Sequence, residues 1–362
     1  MIKINYPLNR DAFHKKYIQE LGINRKTRLK FFKLMNNTSL KKLNINSLDY
    51  LLLAPFQKLS NIVFSNTLTP RELKALKLFF NYDHSSKNKF QPKIKSFFEK
   101  ELTIKTCYFC NIDFVNSFED RDDYHNFTDF IKRADKKELM KLKGIGTTKA
   151  DIIIAERSDL ANSTVIQTLI RNNHGINIEE KYSHFTLDHV LDKGNHPLLA
   201  LSLYNFVPSC YSCNSKFKGT KQFIDKSSMA YLSPTSDNFS FSDDVKFKLY
   251  FHNTKNILTI QNKNDYILDF SYAKNQNEYE NYIDTFKLKG RYIFHKDEVI
   301  RLLKKKERYS VSQLDEISNV VKISSEQIKK DIFGKELFES NIQDMSMAKF
   351  KQDIAKDIGL ID

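Results

Sequence analysis

Two C-x-x-C motifs together use all four cysteines of this 362-residue chain. Cys107 and Cys110 form the first pair, and Cys210 and Cys213 form the second. Two such pairs are the usual way to build a tetrahedral Cys₄ zinc site, in which the protein fills every position around the ion. The cysteines therefore predict a structural Zn²⁺ ion, and they require two distant parts of the chain to meet in the fold.

Disulfide bonds are the competing interpretation of the same four cysteines. The sequence begins MIKINYP, with charge rather than the apolar run of a secretory signal peptide. We therefore expect a cytoplasmic protein, and the reducing cytoplasm disfavours disulfides. No run of about 18 apolar residues is present, so we expect no membrane partner. Zinc is the favoured interpretation.

Residues 186–219 place several ligand-type side chains around the second cysteine pair. Asp188 and His189 end a short apolar run, Asn205 follows in a loop, and Asn214 comes directly after the cysteine pair. His189 is a natural general base, because imidazole titrates near neutral pH. Asp188 and Asn214 offer oxygen ligands of the kind that Mg²⁺ prefers. Asn205 is expected to orient His189 or to fix its tautomer.

Ordinary structural roles are also open to these residues. An Asp-His dipeptide is common, Asn205 fits a turn, and Asn214 fits a helix N-cap. His184, Asp192 and His196 lie nearby but match no position of the pattern, and they are second-rank candidates for a metal or phosphate contact. The ordered combination of all four residues with a cysteine pair is what favours a catalytic site.

This stretch resembles the motif of the HNH nuclease family, in the form with asparagine at its last position. The resemblance implies a ββα-metal fold, in which two strands, a loop and a helix bind one metal ion. It implies that Asp188 binds the metal and that His189 is the general base. By the same resemblance, Asn205 matches the middle asparagine of the motif and Asn214 matches its last metal ligand. The implied reaction is DNA hydrolysis with Mg²⁺ or Mn²⁺, giving 5′-phosphate and 3′-hydroxyl products.

The chain departs from the compact HNH arrangement, because 77 residues lie between Cys110 and Asp188. Part of this interval, residues 136–157, resembles a helix-hairpin-helix module whose hairpin is Gly-Ile-Gly. Glycines permit a tight turn close to a phosphate, and the amides at the start of the second helix would bind that phosphate. An ordinary αα-hairpin is the structural alternative. The expected DNA-binding residues, including two lysines behind the second cysteine pair, are Gly144, Gly146, Thr147, Lys149, Lys216 and Lys218.

Periodicity and turn residues predict an α+β fold, mainly helical, with a zinc-braced ββα-metal core, helical flanking domains and a small antiparallel β segment. In the N-terminal part, Asn9 and Gly22 are expected to bound one helix, and residues 69–72 form a capping box that opens another. In the β segment, residues 245–252 and 257–260 are expected to form a hairpin, with residues 266–272 as a third strand. The predicted parts are an N-terminal helical domain (1–101), a nuclease domain (102–228) with an insertion (126–180) and a catalytic core (181–228), a β-rich segment (229–275) and a C-terminal helical domain (276–362).

The formal net charge of +14 favours a polyanionic partner, although abundant Lys, Asn, Ile and Phe also suggest an AT-rich genome. The sequence thus predicts a metal-dependent endonuclease for double-stranded DNA, in restriction or anti-phage defence by analogy. The alternatives are a nuclease for RNA or structured DNA, a non-catalytic zinc-containing nucleic-acid-binding protein, and a subunit of a larger complex. One HNH site cuts one strand at a time, so a homodimer or successive nicks would be needed to cut both strands.

Overall fold

The computed structural model describes residues 1–36, 39–45, 47–59, 68–82, 90–172, 175–176, 178, 182–251, 257–339 and 342–361. The chain divides into two compact units. Unit 1 comprises Met1–Val115 and Phe185–Asp362, and unit 2 comprises Asn116–His184. Unit 2 therefore interrupts unit 1 between the first cysteine pair and Asp188.

Helices account for most of the regular structure in the described residues. The α-helices are α1 (Arg10–Leu21), α2 (Arg25–Asn36), α3 (Leu48–Leu53), α4 (Pro70–Phe79), α5 (Phe90–Glu101), α6 (Phe127–Arg133), α7 (Lys136–Met140), α8 (Thr147–Glu156), α9 (Thr164–Asn172), α10 (Met229–Leu232), α11 (Phe241–Asp244), α12 (Gln276–Thr285), α13 (Leu288–Ile293), α14 (Asp297–Arg308), α15 (Val311–Val321), α16 (Ser325–Phe333) and α17 (Ala348–Asp357). A π-helix covers Ser212–Lys218, and short 3₁₀-helices cover Ser39–Leu43, Pro197–Leu199, Leu203–Asn205, Ile257–Thr259, Lys335–Leu337 and Ile342–Asp344.

The described strands form three two-stranded antiparallel sheets. Their strands are β1 (Ser117–Phe118) with β2 (Tyr182–Ser183), β3 (Thr186–His189) with β4 (Phe206–Ser209), and β5 (Val245–Tyr250) with β6 (Ile267–Tyr272). The predicted fold class, α+β and mainly helical with small antiparallel sheets, is confirmed at this level.

Local sequence signals set several helix ends in unit 1. The side chain of Asn9 accepts a hydrogen bond from the N–H of Ala12, and Gly22 ends α1 in the left-handed region at a φ of 70°. Thr69 and Glu72 form the predicted reciprocal capping box at the start of α4. These ends depend on residues within one turn of the helix, which is why the sequence predicts them.

One apolar core runs through unit 1 and joins segments that are far apart in sequence. It includes Tyr17 and Phe97 from the N-terminal helices, Phe206 from β4, and Tyr282 and Phe350 from the C-terminal helices. Residues 1–101 and 276–362 therefore share one core with the segment that carries the cysteines.

The β5–β6 sheet differs from the predicted hairpin. β5 pairs with residues 267–272, and residues 257–259 form a 3₁₀-helix instead of a strand. The predicted turn at residues 253–256 lies outside the described residues. The alternation of buried and outward side chains in 267–272 explains its pairing, because a strand turns successive side chains to opposite faces. Carboxylates of Asp353 and Asp357 accept the N–H groups of Phe247 and Leu249, so α17 closes the other edge of β5.

Unit 2 has a core of its own, built from α6 to α9. Leu139, Ile145 and Ile153 are buried in it, and they lie on the two helices and the turn of the predicted hairpin module. The predicted insertion, residues 126–180, falls within this unit. Its β1 and β2 pair Ser117 with Ser183, at the two ends of the unit.

All helices in the described part of the chain are too short or too polar to cross a lipid bilayer.

Candidate functional site

Residues 186–218 form two antiparallel strands followed by a helix. In the β3–β4 pair Asp188 lies opposite Val207, and His189 lies opposite Phe206. All four residues of β4 are buried, and the π-helix begins at Ser212, between the two cysteines of the second pair. Along the chain the order is therefore strand, loop, strand and helix.

His189 lies at the end of β3 and is 7% exposed. Its Nε2 is 3.0 Å from the carbonyl oxygen of Ala200. A carbonyl can only accept, so Nε2 carries the proton and Nδ1 is left with a lone pair. The rings of Tyr82 and Phe206 pack on the imidazole with centroid distances of 4.8 and 4.7 Å. Burial lowers the pKa of His189 to about 4, so the ring is neutral at pH 7.

Asn205 is fully buried and ties together the loop between β3 and β4. Its Oδ1 accepts the N–H of Leu191 at 2.9 Å, and its Nδ2 donates to the carbonyls of Leu191 and Leu199, each at 3.0 Å. Leu199 directly precedes Ala200, which binds His189. Asn205 therefore shapes the loop that orients the imidazole, without contacting the ring itself.

Asp188 is 4% exposed and is paired with Lys218. The Nζ of Lys218 lies 3.0 Å from Oδ1 of Asp188 and donates to the carbonyl of His189 at 2.8 Å. The other carboxylate oxygen, Oδ2, is buried and has no hydrogen-bond partner among the described residues. Burial raises the pKa of Asp188 to about 6, because the cost of desolvation outweighs the attraction of Lys218.

The position of Lys218 differs from the predicted one. The sequence suggests a DNA contact for Lys216 and Lys218 alike, yet Lys216 is exposed and Lys218 is only 1% exposed. The ammonium of Lys218 is directed inward to a carboxylate and a carbonyl, which leaves it no access to a phosphate. Lys218 takes this position because a buried lysine needs a counter-charge, and Asp188 provides it.

Asn214 lies close to β3 but not at the carboxylate of Asp188. Its Nδ2 donates to the Oγ1 of Thr186 at 2.9 Å. The side chains of Thr186 and Asp188 project from the same face of β3. The π-helix places Asn214 beside Thr186 and Lys218 beside Asp188. As arranged here, Asp188 and Asn214 do not fit a Mg²⁺ ion, because the one carboxylate is already paired with an ammonium.

The four cysteines form a buried cluster in unit 1. Their Sγ atoms all lie within 4.8 Å of one another, and all four thiols are free. A tetrahedral zinc site with bonds of about 2.3 Å separates its sulfurs by about 3.8 Å, so the cluster has the size of such a site. Among the described residues it is the only group of three or more His, Cys, Asp or Glu side chains close enough to share a metal ion. The sequence predicts that the four cysteines meet and could hold a metal ion such as zinc. The structure confirms that they cluster.

Arg291, from α13, is a further part of the cysteine cluster that the sequence does not reveal. Its guanidinium lies 3.2 Å from the Sγ of Cys213 and 3.4 Å from the Sγ of Cys110, and it binds Asp113 at 2.8 Å. Four thiolates around one Zn²⁺ carry two excess negative charges, which the guanidinium would partly offset. No local pattern near Arg291 predicts this contact, because the cysteines are far away in sequence.

The predicted DNA-binding residues of unit 2 lie together on its surface. Gly144 has a φ of 76°, a left-handed conformation that favours glycine. Gly146 is the N-cap of α8 and provides no side-chain cap, so the amides of the first turn face solvent together with Thr147. The Nζ of Lys149 donates to the carbonyl of Gly144 at 3.1 Å and lies beside the same turn. This arrangement leaves exposed N–H donors and positive charge at one helix end.

Comparisons of the chain with protein-family models, with curated proteins and with solved structures found no match. A functional assignment therefore depends on the geometry of these sites.

Proposed function

We propose that this chain is a nuclease of the HNH type that hydrolyses phosphodiester bonds in DNA, with His189 as the general base. The observation that carries the proposal is the bond between Nε2 of His189 and the carbonyl of Ala200. It leaves the lone pair on Nδ1, which is therefore the nitrogen that would take a proton from water. The ring lies at the end of a strand that is paired with a second strand and followed by a helix.

The residues around His189 support this role. When Nδ1 takes a proton from water the ring becomes a cation, and the carbonyl of Ala200 stabilises that cation through the N–H of Nε2. Asn205 keeps this carbonyl in place by bonding both ends of the loop. The divalent cation expected from the sequence stays a separate proposal, because Lys218 is bound to Asp188 in the described arrangement.

Unit 2 is proposed to bind the DNA backbone through the hairpin at residues 144–149. Exposed amides at a helix N-terminus attract phosphate, and contacts of this kind fix position without reading sequence. The net charge of +14 supports a polyanionic partner. The same proposal includes double-stranded DNA as the substrate, a role in restriction or anti-phage defence, and assembly as a homodimer or with a partner subunit.

The test of the proposed function is nicking of supercoiled plasmid by zinc-loaded protein with Mg²⁺, with Mn²⁺ and without added metal. Open-circular product in any of the three conditions is the expected result, and its dependence on the added ion tests the separate proposal of a divalent cation. Treatment with EDTA removes divalent ions and would also remove zinc. The zinc content is therefore measured after each treatment, and Mg²⁺ is added back to test whether nicking returns. Plasmid left intact, with a single-stranded RNA substrate cut instead, would replace DNA with RNA as the substrate.

A non-catalytic zinc-containing DNA-binding protein is the second candidate. It is favoured by the burial of His189, which limits access to the proposed base, and by the ion pair with Lys218, which occupies the carboxylate of Asp188. Tight binding of plasmid with no cleavage under any metal condition would support this candidate.

Substitution at the hairpin gives a direct test of backbone binding. Gly146 has a φ of −92°, which other residues adopt, and a Cβ added there meets no atom within 4 Å. Gly146→Val is therefore expected to fold normally while its side chain obstructs the exposed amides. We expect binding to weaken about tenfold, the value of one charge-assisted hydrogen bond. Fluorescence anisotropy with two unrelated duplexes at fixed salt measures the change.

Ser158→Val is the matched control, because this exposed residue lies just beyond the other end of α8, and it should bind DNA like the wild type. Gly144 is a poorer choice, since its left-handed φ makes any substitution a test of folding as well. A loss confined to one of the two duplexes would mean base recognition and would contradict backbone binding.

A further inference from the structure

Two of the cysteine sulfurs share a positively charged neighbour. The guanidinium of Arg291 donates to the Sγ of Cys213 at 3.2 Å and to the Sγ of Cys110 at 3.4 Å. These sulfurs belong to different C-x-x-C pairs, so one side chain contacts both halves of the cysteine cluster. Neutral thiols are weak acceptors, whereas anionic acceptors bind charged donors strongly. The guanidinium therefore fits sulfurs that carry negative charge, as thiolates do around a metal ion.

Several contacts hold the guanidinium of Arg291 beside the sulfurs. It binds the carboxylate of Asp113 at 2.8 Å, and its Cζ lies over the ring of Phe217, 5.2 Å from the centroid. The next residue on α13, Tyr292, is buried and donates from its hydroxyl to the carbonyl of Cys110 at 2.6 Å. The side chain of Arg291 is only 17% exposed. A carboxylate, an aromatic ring and a helix attached to the first cysteine pair thus fix the position of this charge.

A metal ion bound by four thiolates leaves excess negative charge inside the fold. The cysteine cluster is buried, and burial makes such a charge costly unless a counter-charge is near. The backbone N–H groups of Ile112 and Cys213 donate to the Sγ of Cys110 and of Cys210, each at 3.4 Å, but these donors are neutral. We propose that Arg291 governs how tightly the four cysteines retain zinc, because its positive charge lowers the free energy of the zinc-loaded cluster.

The zinc affinity of the whole chain, measured by competition with a coloured chelator, tests this role. Arg291→Leu removes the charge and keeps an apolar contact with Phe217. We expect its dissociation constant for zinc to rise about 10- to 100-fold, the usual effect of losing a group that binds a metal ligand. Arg291→Lys keeps the charge without the planar fork, and it should restore part of the affinity. Lys289→Leu is the matched control, because this exposed lysine of α13 is paired with Asp269, and it should bind zinc like the wild type.

Asp113→Asn separates the contact with the sulfurs from the ion pair. This substitution removes the carboxylate partner of Arg291 and leaves the guanidinium beside the sulfurs. It also removes a negative charge 3.8 Å from the Sγ of Cys110. Zinc should therefore bind as tightly as in the wild type, or more tightly. A loss of affinity as large as in Arg291→Leu would assign the effect to the ion pair and would overturn the inference.

Cobalt spectra provide a second readout in case Arg291→Leu does not fold. Co²⁺ bound by thiolates absorbs through charge transfer from sulfur to the metal, and hydrogen bonds to the sulfur raise the energy of this transition. Lysine cannot reproduce both N–H···S bonds, so the band of Arg291→Lys should lie at longer wavelength than that of the wild type.

Three further results would overturn the inference. One is a folded Arg291→Leu protein with the zinc affinity of the wild type. Another is a folded Arg291→Lys protein whose cobalt band stays at the wild-type wavelength. The third is a wild-type protein that binds neither Zn²⁺ nor Co²⁺. None of these measurements involves cleavage of DNA, so a failure of the proposed nuclease function would leave the role of Arg291 intact.

Discussion

Replacement of His189 by alanine is expected to reduce plasmid nicking by at least about 100-fold, the lower end of the range for loss of a general base. Zinc content and DNA binding should stay as in the wild type, because the imidazole of His189 contacts Ala200, Tyr82 and Phe206 and none of the cysteines. Initial rates of nicking at saturating Mg²⁺ measure the first effect, and anisotropy with a labelled duplex measures the second.

Two controls make this result specific. His196→Ala removes a half-buried histidine seven residues away that matches no position of the motif, and it should retain activity. His189→Gln fills more of the space between Tyr82 and Phe206 than alanine does, so a similar loss in both variants separates chemistry from packing. Equal losses of DNA binding and cleavage in His189→Ala would contradict the role of general base.

Replacement of Cys210 by serine is expected to remove the bound zinc and to destabilise unit 1 severely. Serine is a poor zinc ligand at neutral pH, and the cluster lies in the core that joins the N-terminal and C-terminal helices. Structural zinc contributes about 10–16 kcal/mol of binding free energy in small zinc domains, which is comparable with the whole stability of an ordinary domain. Elemental analysis should find one zinc per chain in the wild type and much less in the variant, with a lower melting temperature.

Ser212→Ala is the matched control, because this residue lies between the two cysteines of the second pair and contributes no ligand. It should retain zinc and melt like the wild type. Unchanged zinc content in Cys210→Ser would rule out the four-cysteine site. A wild-type protein whose melting temperature falls in reducing agent and is insensitive to chelators would favour disulfides instead.

Features that depend on nearby residues were predictable from the sequence. Asn9, Gly22 and the capping box at Thr69 set helix ends through contacts within one turn. The cysteine cluster was predictable for a different reason. Two C-x-x-C pairs with no cysteine left over have few chemical uses in a reducing compartment, so their meeting could be inferred without knowledge of the path between them.

Features that depend on tertiary placement were not predictable. Lys216 and Lys218 look alike in the sequence, and only the wide turns of the π-helix direct Lys218 to Asp188. Arg291 reaches the cysteine sulfurs from a helix that carries no metal-binding pattern. The sequence also predicts the wrong partner for β5, because the apolar cluster at 257–260 is nearer in the chain than the segment at 267–272 that pairs with it.

The pairing of β1 with β2 has a consequence for the order in which the chain folds. Cys210 comes 100 positions after Cys110, and this long loop must close before zinc can bind both pairs. Once Ser117 has paired with Ser183, the residues between them no longer contribute to the length of the loop. About 30 residues of free chain are then left between the two cysteine pairs. The entropic cost of closure then falls by about 1 kcal/mol. An insertion that folds first would in this way speed the capture of zinc.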